Sequence, residues 1–409
     1  MNEYNIFTLK NGLRVIHKEV KRNQVSHCGL IIDAGTRDEE ENEAGMAHFI
    51  EHCIFKGTKK RKAFHILSRL DAVGGELNAF TTKEETCIYA SFLNRHFQRA
   101  IELIADITFN STFPEKEIQR EKEVVIDEIY SYLDSPSEQI IDDFEHDLFQ
   151  GHPLGKNIFG TIESIRAFTP EAVKTFMQNN YTPEKMVLSV VGSISLNKVR
   201  KYAERYFSDF SGTSSKKPTT KGWITNKPFE KIVEKNTFQN HIVLGSPSFA
   251  IGSPQRTTMF LLNNYLGGPA MNNKLSMLLR EKHGIAYNIE SIYQDYSDQG
   301  IFMVYLGTDR NQIDKSIKLI KKELKKVCET KLGVRQLNLA KQQLIGQIAL
   351  AHESGSNVML GIGKGLLRRG SVMSSKETFD AVERIKAEDI LSVANSSIHP
   401  DKQSLLIFK

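Results

Sequence analysis

The sequence predicts an α+β protein made of two related α/β sandwich halves, each a mainly antiparallel sheet packed with helices. Three observations carry that expectation. Stretches such as LRVIHKEV, SHCGLIIDAG and MVLSVVGSI have the alternation or apolar density of strands. They are interleaved with helical stretches that bring their own start signals. Beyond a polar segment rich in Ser, Thr, Pro and Lys, the same succession of strands and helices returns in looser form. The expected division is a first domain over 1–212, a linker at 213–228, and a second related domain over 229–409.

Taken in order, FTLK and LRVIHKEV form a strand pair around an Asn11-Gly12 turn. SHCGLIIDAG is a third strand. A helix follows from the Ala44 region and is expected to end near Lys56, with Gly57 as its cap. Lys62 to Val73 is a second helix, closed by Gly74-Gly75, and ELNAFTTKEETCIYASF supplies one or two strands. A helix spans Asn94 to Asn110. Pro114 opens a long helix at its first turn. Ser135-Pro136-Ser137-Glu138 has the form of a capping box for the next helix. In the second half, strands and helices alternate, with helices expected at 311–330, 334–353 and 376–395 and SLLIFK as a terminal strand. GIGKGLLRRG lacks the frame of a phosphate loop and is given no role.

The chemistry is concentrated in AGMAHFIEHCIFKGT. His48-Phe49-Ile50-Glu51-His52 is an H-x-x-E-H pattern, the inverzincin order. On a helix, His48 and His52 are one turn apart on one face and can bind one divalent ion. Glu51 lies beside them, where a carboxylate can take a proton from a metal-bound water. The flanking Met46, Phe49, Ile50, Ile54 and Phe55 make this a largely buried helix, and buried His and Glu need partners.

A catalytic zinc site needs a third protein ligand and an open position. The helix from Pro114 offers Glu117, Glu121, Glu123, Asp127 and Glu128. Glu121 and Glu128 are seven apart and share a face. Glu128 is favoured as ligand, with Glu121 supporting a histidine or the attacking water. Asp127 is the rival, on a different face and with a shorter reach. A structural zinc site would use four ligands, often cysteines, and Cys53 is on the wrong side of its helix to serve.

Composition narrows the classes. The 409 residues are 40% hydrophobic and 25% charged, as in an ordinary globular protein, and the net charge of +5 is interspersed. Neither a nucleic-acid nor a membrane partner is expected. No apolar run reaches eighteen residues, the N-terminus lacks a signal-peptide core, and four cysteines show no paired spacing. A cytoplasmic location is the expectation.

These blocks together resemble the pitrilysin/insulinase zinc metallopeptidases, and within them the mitochondrial-processing-peptidase-like bacterial enzymes. NGLRVIHKE, DAGTRDEEENEAGMAHFIEHCIFKGT, GGELNAFTTKEET, EKEVVIDEI, HPLGKNIFGT and LREKHGIAYNIESIYQDYSDQGIFMVYLGT carry the resemblance across nearly the whole chain. It implies one zinc per chain held by His48, His52 and Glu128, with Glu51 as base and Glu121 in support. It also implies that Arg280 and Tyr287 reach substrate carbonyls or the oxyanion, and that Asn78, Ala79 and Phe80 lie on a substrate-binding edge strand. The family encloses extended peptides in a chamber of four related domains. This chain supplies two, so a homodimer is expected, or a heterodimer with a related inactive subunit. The activity implied is zinc endopeptidase cleavage of unfolded peptides or leader segments. The alternative is a non-catalytic peptide-binding or scaffolding subunit.

Overall fold

The computed structural model describes residues 3–212, 227–235 and 237–409. Most of the expected linker lies outside them. In chain order the first elements are β1 (Asn5–Thr8), β2 (Arg14–Glu19), β3 (Val25–Ile32), α1 (Met46–Cys53), α2 (Ala63–Asp71), β4 (Glu76–Thr81) and β5 (Thr86–Leu93). Next come α3 (Phe97–Phe109), α4 (Glu115–Leu133), α5 (Pro136–Leu148), α6 (Ile162–Ala167), α7 (Pro170–Asn180), β6 (Met186–Gly192) and α8 (Leu196–Phe207). The later part holds β7 (Glu230–Val233), β8 (Asn240–Ser248), α9 (Arg256–Gly267), β9 (Ala286–Asp295) and β10 (Gly300–Thr308). It ends with α10 (Ile313–Glu329), α11 (Val334–Ala351), α12 (Gly355–Arg369), α13 (Ser375–Glu383), α14 (Ala387–Val393) and β11 (Ser404–Phe408).

Two sheets result, one of order β1-β2-β6-β3-β5-β4 and one of order β7-β11-β8-β10-β9. Apart from β1, strand order and direction match one for one. β2 runs parallel to β6 as β7 does to β11, and every other pairing is antiparallel. The duplication expected from the succession of elements is thus a correspondence of topology.

The chain gathers into two compact units that are not continuous in sequence. The first holds β1 to most of α4, then α6, α7, β6, α8 and α12. The second holds α5 and the remaining later elements.

In the first unit, Leu30, Ile32, Leu188 and Val190 point to one face of the sheet, against Phe49, Phe97, Ile101, Ile104 and Phe176 from the helices. Ile16, Val187 and Val191 point to the other face, against Val358, Met359, Ile362 and Leu366 of α12. Burial on both faces explains why β6 reads as a continuous apolar run. In the second unit, Val243, Ile301, Met303, Leu406 and Phe408 meet Ile140, Phe144 and Leu148 of α5.

Three local expectations are corrected. The first helix ends at Cys53, one turn before Gly57. Ser135 precedes α5, but its hydroxyl caps no backbone amide and lies 3.5 Å from Ser137 Oγ. A helix the sequence did not announce, α12, occupies the glycine-rich stretch. Among the described residues no helix is long and apolar enough to cross a membrane. All four cysteines are buried free thiols.

Candidate metal centre

The centre is built in the first unit, where α1 and α4 meet. Gly45 opens α1 with φ of 86°, and a Cβ there would stand 2.5 Å from the Phe159 carbonyl oxygen, so glycine is required. The Glu39 carboxylate accepts the Gly45 N–H at 3.0 Å and the Ala47 N–H at 2.9 Å. A buried acidic side chain from the preceding loop therefore fixes the first turn of the helix. Burial pushes Glu39 up to about 8, against the pull of those two amides. Met46, Phe49, Ile50 and Cys53 sink into the core, which leaves His48, Glu51 and His52 on the opposite side.

Among the described residues, His48, His52 and Glu128 form the group able to hold a metal. One donor atom from each lies within 4.8 Å of the others. Glu128 Oε2 is 3.3 Å from His52 Nε2 and 3.7 Å from His48 Nε2. The two imidazoles meet edge to face at 4.7 Å, and Phe159 packs edge-on against His48 at 5.1 Å. Burial, reinforced by the nearby His52, pushes His48 down to about 4, which keeps it neutral as a ligand must be. At His52 burial is outweighed by hydrogen bonds to Glu121 and Glu128, which raise it to about 9.

Glu121 stands two turns before Glu128 on α4 and is 4% exposed. Its Oε1 accepts from His52 Nδ1 at 3.1 Å and its Oε2 from Lys56 Nζ at 2.6 Å. These two bonds overcome burial and hold its carboxyl below the ordinary range. With the Nδ1 proton directed at Glu121, Nε2 is the atom that faces the centre, and a metal bound there would displace its proton. Glu51 is held by Thr81 at the end of β4, and burial raises its carboxyl. Asp127 is exposed and outside the donor set. Glu117 pairs with Arg120 at 2.9 Å along the same helix.

Asn78, Ala79 and Phe80 lie on β4, an edge strand paired on one side to β5 and packed against α1. Arg280 and Tyr287 fall in the second unit. Arg280 is in a π-helical turn, Ser276–Lys282, and pairs with Glu281 at 2.9 Å. Tyr287 is 88% exposed at the start of β9, and the two line one open hollow with Met271 and Met277. Glu39, Thr81 and Lys56 are the members of the site that sequence reasoning missed. For Lys56 a signal existed, because it follows His52 by four residues and a buried Glu121 needs a countercharge.

Comparison with known proteins gives the family. The family described as Insulinase (Peptidase family M16) matches residues 14–162, and Peptidase M16 inactive domain matches residues 167–344. The chain belongs to the M16, or insulinase, family of peptidases. Among curated relatives, the uncharacterized zinc protease YmxG of Bacillus subtilis is 33% identical over 98% of this chain and 97% of its own. The uncharacterized zinc protease SCO5738 of Streptomyces coelicolor is 32% identical over 95% of this chain and 85% of its own. In fold, a protease from Helicobacter pylori superposes with a TM-score of 0.92 at 22% identity, covering 99% of both chains.

Proposed function

We propose that this chain is a zinc-dependent endopeptidase acting on extended peptides. The observation that supports this best is the meeting of His48, His52 and Glu128 donor atoms beside Glu51. Two imidazole nitrogens and a carboxylate oxygen suit zinc. Among the described residues no lysine or arginine pairs with Glu128, so no fixed cation competes for the centre. One zinc per chain would be held by His48, His52 and Glu128. When bound there, zinc supplies a low-pKa water and a polarised carbonyl.

The protein's own groups do the rest. Glu51 takes the proton of the attacking water and returns it to the leaving amine, a task its raised pKa suits. Glu121 keeps the His52 ring oriented. The free side of β4 accepts the peptide backbone as an added strand, and Asn78, Ala79 and Phe80 meet its side chains. Arg280 and Tyr287 donate to substrate carbonyls or the oxyanion. A homodimer completes the four-unit clamshell around the peptide, in a reducing, cytoplasmic setting that suits four free thiols.

The test combines zinc analysis of the purified protein with cleavage of a quenched-fluorescent peptide library, with and without chelator. About one zinc per chain and chelator-sensitive cleavage is the expected result. One zinc with no cleavage of any peptide would favour a peptide-binding subunit that works beside another chain.

A further inference from the structure

Glu121 is the one acidic side chain of α4 that is fully buried, and both its oxygens are committed. One holds His52 and the other holds Lys56. Lys56 lies just past α1, where its own N–H bonds the Cys53 carbonyl at 3.1 Å. The short chain from His52 to Lys56 therefore grips one carboxylate from both ends. Lys56 is the only cation other than His52 paired with Glu121 among the described residues, and its side chain is 30% exposed. A buried carboxylate bonded at one oxygen can still turn about its side-chain torsions. One bonded at both cannot, and its charge is compensated as well.

We propose that Lys56 is a positioning residue for metal binding, clamping Glu121 so that the His52 ring is held with Nε2 toward His48 and Glu128. Groups that orient metal-bound histidines in this way alter metal affinity by about 10- to 100-fold. Lys56 acts one step further out, through Glu121 alone. The inference rests on the zinc reading of the centre.

Zinc dissociation constants, measured by competition with a chromogenic chelator, test it on the full-length chain and its variants. Lys56→Met is expected to weaken zinc binding roughly tenfold. Lys56→Arg, which keeps an ion pair, should stay within about threefold of the parent. In a Glu121→Gln background, Lys56→Met should add less than about twofold, since the clamp is already gone. Lys56→Gln is measured beside it as a milder change, and circular dichroism follows folding of each protein. Parent-like affinity in Lys56→Met and Lys56→Gln would overturn the role of Lys56 while leaving the zinc centre standing. So would an undiminished loss in the Glu121→Gln background, because a purely structural lysine acts there as before. Absence of tight zinc binding by the parent would remove the centre and the clamp together.

Discussion

Glu51 and Glu128 are both carboxylates beside His52, yet their environments set them apart. Burial raises Glu51, whereas the hydrogen bond to His52 lowers Glu128. One suits a base and the other a ligand. Glu51→Gln should retain zinc and lose about 10²- to 10⁴-fold in turnover, checked by metal analysis beside peptide cleavage. Glu128→Gln should weaken zinc binding more than Asp127→Asn does, and the reverse ranking would move the third ligand. Glu39 makes a pH prediction. Its folded pKa of about 8 lies above the ordinary carboxylate value, so the native state holds the proton longer than the unfolded chain. That contribution to stability is complete below about pH 4.5 and is lost as pH rises through 8. The melting temperature of the parent should therefore fall more between pH 5 and 8 than that of Glu39→Gln. An identical slope for both proteins would show that Glu39 does not carry the effect. The grouping of His48, His52 and Glu128 was legible because ligand spacing repeats with the helix turn. Glu39 was not, because it bonds backbone amides and leaves no pattern in the side chains it serves.

At the scale of the element, α12 shows where sequence reasoning fails. Gly355, Gly361, Gly363 and Gly365 lower its helix propensity, so the stretch reads as irregular. Packing supplies the reason for some of them. A Cβ on Gly363 would meet Ile31 Cδ1 at 2.4 Å and Ser189 Cβ at 3.0 Å, so this turn of the helix must lie against bare sheet. The Ser189 hydroxyl donates to the Met359 carbonyl at 2.7 Å, and Arg368 holds Asp33 at 3.1 Å and Glu84 at 3.3 Å. Gly361 has open space around it. Two substitutions two residues apart should then have opposite signs. Gly363→Leu is expected to destabilise by about 1–3 kcal/mol through overpacking. Gly361→Ala should stabilise by about 0.5–1 kcal/mol through helix propensity. Urea unfolding curves decide both, and a loss of stability in Gly361→Ala would mean that the glycine has a contact beyond its own helix. The strands were easier to read than α12, because burial on both faces makes their short runs densely apolar.

At the scale of the molecule, the repeated strand order and the exchange of α5 and α12 belong together. Each unit covers one face of its sheet with a helix from the other half of the chain. The succession of elements revealed the duplication, but nothing in it could reveal the exchange, which depends on contacts far apart in sequence, such as Ser189 with Met359. A chain cut at the polar linker should behave accordingly. Residues 1–212 alone would leave Ile16, Val187 and Val191 uncovered and should fail to melt cooperatively. Co-expression with residues 227–409 should restore a folded complex, read by size-exclusion chromatography and circular dichroism. A cooperative, monomeric 1–212 fragment would contradict this. The proposed homodimer is checked by light scattering, with a mass of twice the 46.4 kDa chain expected.

The exchange also sets a timetable for biosynthesis. The last strand of the first sheet, β6, leaves the ribosome well before α12 has been made. At about 5–20 residues per second, the wait is roughly 10–35 s. During it the nascent sheet presents Ile16, Val187 and Val191 to its surroundings. Synthesis of α12, rather than completion of the sheet, is when the first unit can close, and that interval is where a chaperone would have most to do.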